Sequence, residues 1–120
     1  MKAVLVLAHG SRERETKAAF GRVVERVRER FPGVMIEAAF LQFCEPDVGQ
    51  ALKSLVEQGA NDITAIPYFL FEGVHIREDI PRAIAEFAGE HPGVRVRVGG
   101  ILGADERLAD ILADRVGEAL

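Results

Sequence analysis

Lys2-Ala3-Val4-Leu5-Val6-Leu7-Ala8-His9-Gly10-Ser11-Arg12 decides how this chain is read. Residues 3–8 are apolar without a break. A strand of that kind is covered on both faces and belongs inside a sheet. His9-Gly10 ends the run. The next segment, residues 14–31, is helical in period: Phe20, Val23, Val24, Val27 and Phe31 form an inward stripe, with Arg22, Glu25, Arg26, Arg28 and Glu29 opposite. Pro32-Gly33 stops it, and residues 34–41 resume as a strand.

The alternation then repeats. Asp47 is placed to cap a helix over 48–58 with the stripe Val48, Ala51, Leu52, Leu55 and Val56, and Gly59 suits its end. A third strand runs over about residues 62–68. A helix beginning near Glu78–Pro81 carries Ile80, Ile84, Phe87 and Ala88 inward, and Pro92-Gly93 ends it. Val94, Val96 and Val98 form a fourth strand. A last helix, roughly 105–119, has the stripe Leu108, Ile111, Leu112 and Val116. Four β-α units predict an α/β three-layer sandwich around a four-stranded parallel sheet with right-handed crossovers.

Polarity sets the strand order. The first and third strands are apolar on both faces and therefore central. The fourth alternates Val with Arg95 and Arg97, and the second carries Glu37, so both are edges. The order 2-1-3-4 follows. The chain then reverses between the first and third strands, where ligands bind at the carboxyl ends. His9 follows the first and His75 the third, so the two imidazoles are expected to share one cleft. Two neutral imidazoles suit a borderline transition metal.

Composition narrows the alternatives. One domain over residues 1–120 fits the length. An apolar share of 48% argues against disorder, and a net charge of −4 without a basic stripe argues against nucleic acid. No apolar run approaches the ~20 residues of a membrane span. No cleavable signal pattern opens the chain, and Cys44 is the single cysteine, so a reducing cytoplasm is expected.

Competing motif readings fail on particular residues. An α/β-hydrolase needs a G-x-S-x-G elbow, which is absent. Histidine phosphatases place Arg before His-Gly; here Ala8 stands there. Gly99-Gly100-Ile101-Leu102-Gly103 lacks the first glycine of a dinucleotide fingerprint, and no Walker A sequence supports ATP use. Ser11 is expected to cap the first helix. Asp79 and Pro81 suit a helix start, His91 a helix end, and Cys44 reads as inert.

The chain resembles the sirohydrochlorin chelatases in their short single-domain form. The matching segments are HGSR (9–12), FLQFCEP (40–46), FLFEGVHIREDIP (69–81) and GGILGADERL (99–108). HGSR together with G-x-H-x-x-x-D-I-P some sixty residues on is specific. The resemblance implies a chelatase-like fold, half of a flavodoxin-like arrangement, and ATP-independent insertion of Co2+ or Fe2+, with Ni2+ a further option, into a tetrapyrrole. It implies no permanent cofactor and assigns the metal to His9 and His75, which also carry the catalysis. Substrate contacts fall on Ser11, Arg12, Gln42, Gly73 and Arg77. Many relatives carry Glu where this chain has Gln42. Gln42, Glu45 or Glu72 is then left to complete the metal site. Arg12 and Arg77 suit the carboxylates of the substrate. One domain supplies one wall of a tetrapyrrole cleft, so a homodimer is expected. A non-enzymatic metal or tetrapyrrole carrier using the same two histidines is the competing class, with a phosphate-ester hydrolase third.

Overall fold

The central strand β1 (Lys2–Ala8) alternates between two buried faces. Ala3, Leu5 and Leu7 point to one side, Val4, Val6 and Ala8 to the other. The computed structural model describes all 120 residues, the side chain of His75 excepted. β1 pairs in parallel with β2 (Met35–Phe40) and with β3 (Asp62–Pro67), and β3 pairs with β4 (Arg95–Val98). The sheet order is β2-β1-β3-β4, as polarity predicts. Leu5 sits between Glu37 on one neighbour and Ala65 on the other.

Helices cover the two faces unequally. On one face, α2 (Val48–Glu57) and α3 (Ile80–Glu90) bury Leu52, Leu55, Ile80, Ile84 and Phe87 against Leu5, Leu7, Ile63 and Ala65. A capping box starts α2: the Asp47 carboxylate accepts from the Gln50 amide (2.7 Å), and the Gln50 side chain accepts from the Asp47 amide (2.8 Å). On the other face, α1 (Arg14–Arg30) packs Phe20 and Val24 onto Ile36 and Phe40. His91 stacks on Phe87 with ring centroids 4.0 Å apart, and its Nδ1 lies 3.1 Å from the Phe87 carbonyl, which is a structural role.

Four expectations need correction. Val23 and Phe31 are exposed, because the sheet beneath α1 is met only by the Phe20–Val24 side of the helix. Ser11 does not cap α1: Glu13 holds the cap position, and the Ser11 hydroxyl, two residues earlier, accepts from the Glu13 amide (3.0 Å). Helical backbone starts earlier than Glu78–Pro81, with a wide π-type turn over His75–Asp79 leading into α3. The last helix, α4 (Glu106–Ala119), buries none of its residues, because neither the sheet nor another described helix packs along it. Its start is nonetheless well formed. Asp105 accepts from the Arg107 amide, and hydrogen bonds from the Arg107 side chain hold the Asp105 carboxyl far below the usual carboxylate range.

Candidate active site

The β1–β2 ladder runs on past both strands. Leu41 donates to the Ala8 carbonyl and Gln42 to the His9 carbonyl, each at 3.0 Å. That continued register brings residues 33 positions apart side by side. Gly10 makes it possible. Its φ is +104°, and a Cβ there would run into the Gln42 carbonyl. Only glycine allows so close a backbone approach at such a φ.

His9 is half-buried. Its Nε2 lies 2.6 Å from Gln42 Nε2, and its Nδ1 lies 3.4 Å from the Gly10 carbonyl oxygen. A carbonyl only accepts, so the proton belongs on Nδ1. Nε2 then offers its lone pair and accepts from the Gln42 amide. An imidazole lone pair of this kind is what binds transition metals.

Phe43 adjoins the pair. Its φ of +72° is unusual for a bulky residue. The segment after β2 is held on both sides: Phe40 donates to the Pro46 carbonyl (2.9 Å), and Lys17 Nζ on α1 donates to the Glu45 carbonyl (2.6 Å). The Phe43 ring meets the His9 ring edge-on at 6.1 Å, and the Arg12 guanidinium lies 4.8 Å above its centre. An exposed cation thus stands over an aromatic face beside the histidine.

The loop after β3 borders the same end of the sheet. Tyr68 donates to the Leu7 carbonyl (2.6 Å), stitching it to β1. Ile76 and Arg77 both donate to the Gly73 carbonyl, at 3.1 and 3.0 Å, which closes the turn carrying residue 75. The His75 side chain lies outside the described residues. Arg77 is exposed, and Asp79 stands 3.9 Å from Arg82. A cleft of about 680 Å³ runs from Gln42 between α2 and α3 to Asp79 and His91, a volume ordinary for a small-molecule site.

The structure therefore brings together His9, Gln42 and Arg12 and sets Ser11 just beyond them. It leaves Gly73 on the neighbouring loop and Arg77 in the π-type turn that follows. Glu45 and Glu72 are exposed, and among the described residues no three His, Cys, Asp or Glu side chains cluster closely enough to hold an ion. Sequence reading missed an apolar rim around this end of the sheet. Phe43, Leu70, Phe71 and Val74 are all exposed. The run Phe69-Leu70-Phe71, placed after the strand has ended at Pro67, was the available signal.

Fold and site define a parallel α/β domain that presents a histidine and its amide partner at the switch point of the sheet. Residues 3–119 match the CbiX family, and the chain belongs to it. It is similar to the sirohydrochlorin ferrochelatase of Priestia megaterium, 35% identical over 118 residues that are 98% of this chain and 44% of that protein. It is also similar to the sirohydrochlorin cobaltochelatase of Methanocaldococcus jannaschii, 30% identical over 96% of this chain and 97% of that one. The chain thus spans under half of the first relative and nearly all of the second. The sirohydrochlorin chelatase SirB of Bacillus subtilis subspecies spizizenii, solved in complex with cobalt, superposes with a TM-score of 0.92 at 28% identity, over 98% of this chain and 50% of SirB.

Proposed function

We propose that this chain is a sirohydrochlorin chelatase, inserting Co2+ or Fe2+ into the macrocycle without ATP, as one chelatase-like domain spanning residues 1–120. The observation that carries the reading is the His9–Gln42 pair at the switch point, 2.6 Å apart, in a member of the CbiX family.

Insertion requires that the ion lose water, that two pyrrole N–H protons leave, and that the ring present its nitrogens to the ion. His9 Nε2 supplies a nitrogen donor, and the incoming ion displaces the Gln42 amide from it. Gln42 then has its carbonyl oxygen to turn toward the ion, a weaker ligand than a carboxylate. His75, at the start of the π-type turn that leads into α3, is the second nitrogen donor. Two protein ligands leave open positions for the ring. An imidazole nitrogen also serves as a proton acceptor.

The rim supplies the substrate surface. Phe43, Leu70, Phe71 and Val74 suit the flat faces of a tetrapyrrole, and Arg12 and Arg77 suit its carboxylates. Ser11 and the Gly73 backbone are the further substrate contacts of this reading. One such domain lines one side of a macrocycle, so a homodimer completes the cleft. No described helix is long and apolar enough to cross a membrane. A cytoplasmic setting fits the single Cys44.

An anaerobic absorbance assay tests the reading. Purified protein is mixed with sirohydrochlorin and Co2+, Fe2+ or Ni2+ in turn. Metallated product forming faster than in protein-free controls, with multiple turnovers, is expected. Tight product binding without turnover would replace the enzyme by a carrier.

A further inference from the structure

The α2–α3 cleft of about 680 Å³ opens beside Gln42 and is far larger than a metal ion needs. β2 and β3 lead into α2 and α3, so both helices start at the carboxyl end of the sheet and run down from it. Depth in the cleft is therefore marked off in helical turns. Gln42, Gln50 and Asp79 stand at the mouth. Arg82 follows in the first turn of α3 and Lys53 in the second turn of α2. Glu86 and Glu90 lie deeper, in the second and third turns of α3.

Charge in this cleft is sorted by depth. The two cations occupy the upper part from opposite walls, and the two glutamates the lower part. Among the described residues Lys53 has no ion-pair partner. Arg82 comes near only Asp79, at 3.9 Å, which is beyond hydrogen-bond distance and leaves its N–H donors available. The Asp47 carboxylate is committed to the Gln50 amide in the capping box. Between these groups the lining is apolar: Leu41, Val48, Ala83 and Phe87. An apolar passage that ends at two cations is shaped for an alkyl carboxylate.

We infer that the upper α2–α3 cleft is a pocket for one acid side arm of the macrocycle. The arm passes Gln42, lays its methylenes along Leu41, Val48 and Ala83, and ends with its carboxylate between Lys53 and Arg82. The inference deepens the chelatase reading above and rests on it. Reach supports this occupant. Two methylenes and a carboxylate extend about 4–5 Å from a ring edge, close to the ~5.4 Å of one helical turn, and Arg82 is in the first turn below the mouth. The lower glutamates set the depth, because Glu86 and Glu90 repel a carboxylate that sinks past the cations. Arg12 and Arg77 lie outside this cleft, so they are left for other carboxylates of the same substrate. An arm without its charge would place apolar atoms against two unpaired cations, and the cleft thus selects rings that bear acid arms over rings that do not.

Absorbance titration with metal-free sirohydrochlorin reads binding apart from turnover. The neutral variant Lys53→Gln/Arg82→Gln is expected to bind about tenfold more weakly than wild type, with KM raised to match, through the loss of two charge-assisted contacts. Its kcat, its Co2+ affinity and its Tm are expected to stay unchanged, since both side chains are exposed and neither touches His9. The charge-keeping variant Lys53→Arg/Arg82→Lys is expected to bind within about threefold of wild type, because both cations remain. Arg22→Gln/Arg26→Gln removes the same charge from the exposed side of α1 and is expected to bind like wild type. A neutral variant that binds like wild type, or an α1 variant that weakens as much, overturns the pocket and leaves chelation standing. A charge-keeping variant as weak as the neutral one overturns it too, by giving Lys53 and Arg82 a structural role. A wild type that binds no sirohydrochlorin overturns both the pocket and the chelatase reading.

Discussion

Gly10→Ala is the sharpest test of how this fold makes its site. Two costs add. The backbone at φ +104° is unfavourable for any L side chain by about 1–2 kcal/mol. The added methyl also meets the Gln42 carbonyl, which is backbone and cannot rotate away. The segment after β2 must then move, giving up the 3.0 Å bonds from Leu41 to Ala8 and from Gln42 to His9. Each is worth about 1 kcal/mol. The sum is about 3–4 kcal/mol, which for a chain of this size lowers Tm by about 15 °C. Opening the register also parts Gln42 from His9, so Co2+ affinity falls with stability. Differential scanning calorimetry reads the first and titration calorimetry with Co2+ the second. Gly21→Ala is the matched control. It lies inside α1 with nothing within 4 Å of its would-be Cβ, and should gain about 0.5–1 kcal/mol from helix propensity. A Gly10→Ala protein melting within 2 °C of wild type would falsify the claim that backbone approach at Gly10 sets the register.

Three further outcomes follow from the site. His9→Ala and His75→Ala should each slow metal insertion at least tenfold while Tm changes little, because both lie beyond strand ends; near-normal insertion by both would remove them from the metal. Gln42→Glu should tighten Co2+ binding about tenfold by calorimetry, since a carboxylate replaces a neutral amide 2.6 Å from His9 Nε2; unchanged affinity would place residue 42 outside the metal's reach. Arg12→Ala should raise KM for sirohydrochlorin several-fold with Co2+ affinity unchanged, and an equal loss of both would mean that Arg12 acts by holding Phe43 and His9 in place.

Much of the fold was legible because its signals are local. Unbroken apolar residues at 3–8 made β1 central, and Arg95 and Arg97 made β4 an edge, so the order 2-1-3-4 needed no coordinates. The Asp47 cap and the inward stripes of α2 and α3 were equally readable, since capping and helical period depend only on neighbours in sequence. The location of His9 and the motif shared with chelatases were sequence facts as well.

Long-range contacts decided the rest. Gln42 and His9 are partners because two parallel strands keep their register beyond their ends, and only the structure shows that Gly10 is what permits it. Phe43 faces His9 because its backbone takes a conformation that no composition rule assigns to phenylalanine. The stripes on α1 and α4 look alike in sequence, yet Phe20 and Val24 are buried while Ile111 and Leu112 are open to solvent. Periodicity tells a helix which face is apolar. It does not say whether a surface stands opposite, because any such surface is assembled from segments far apart along the chain.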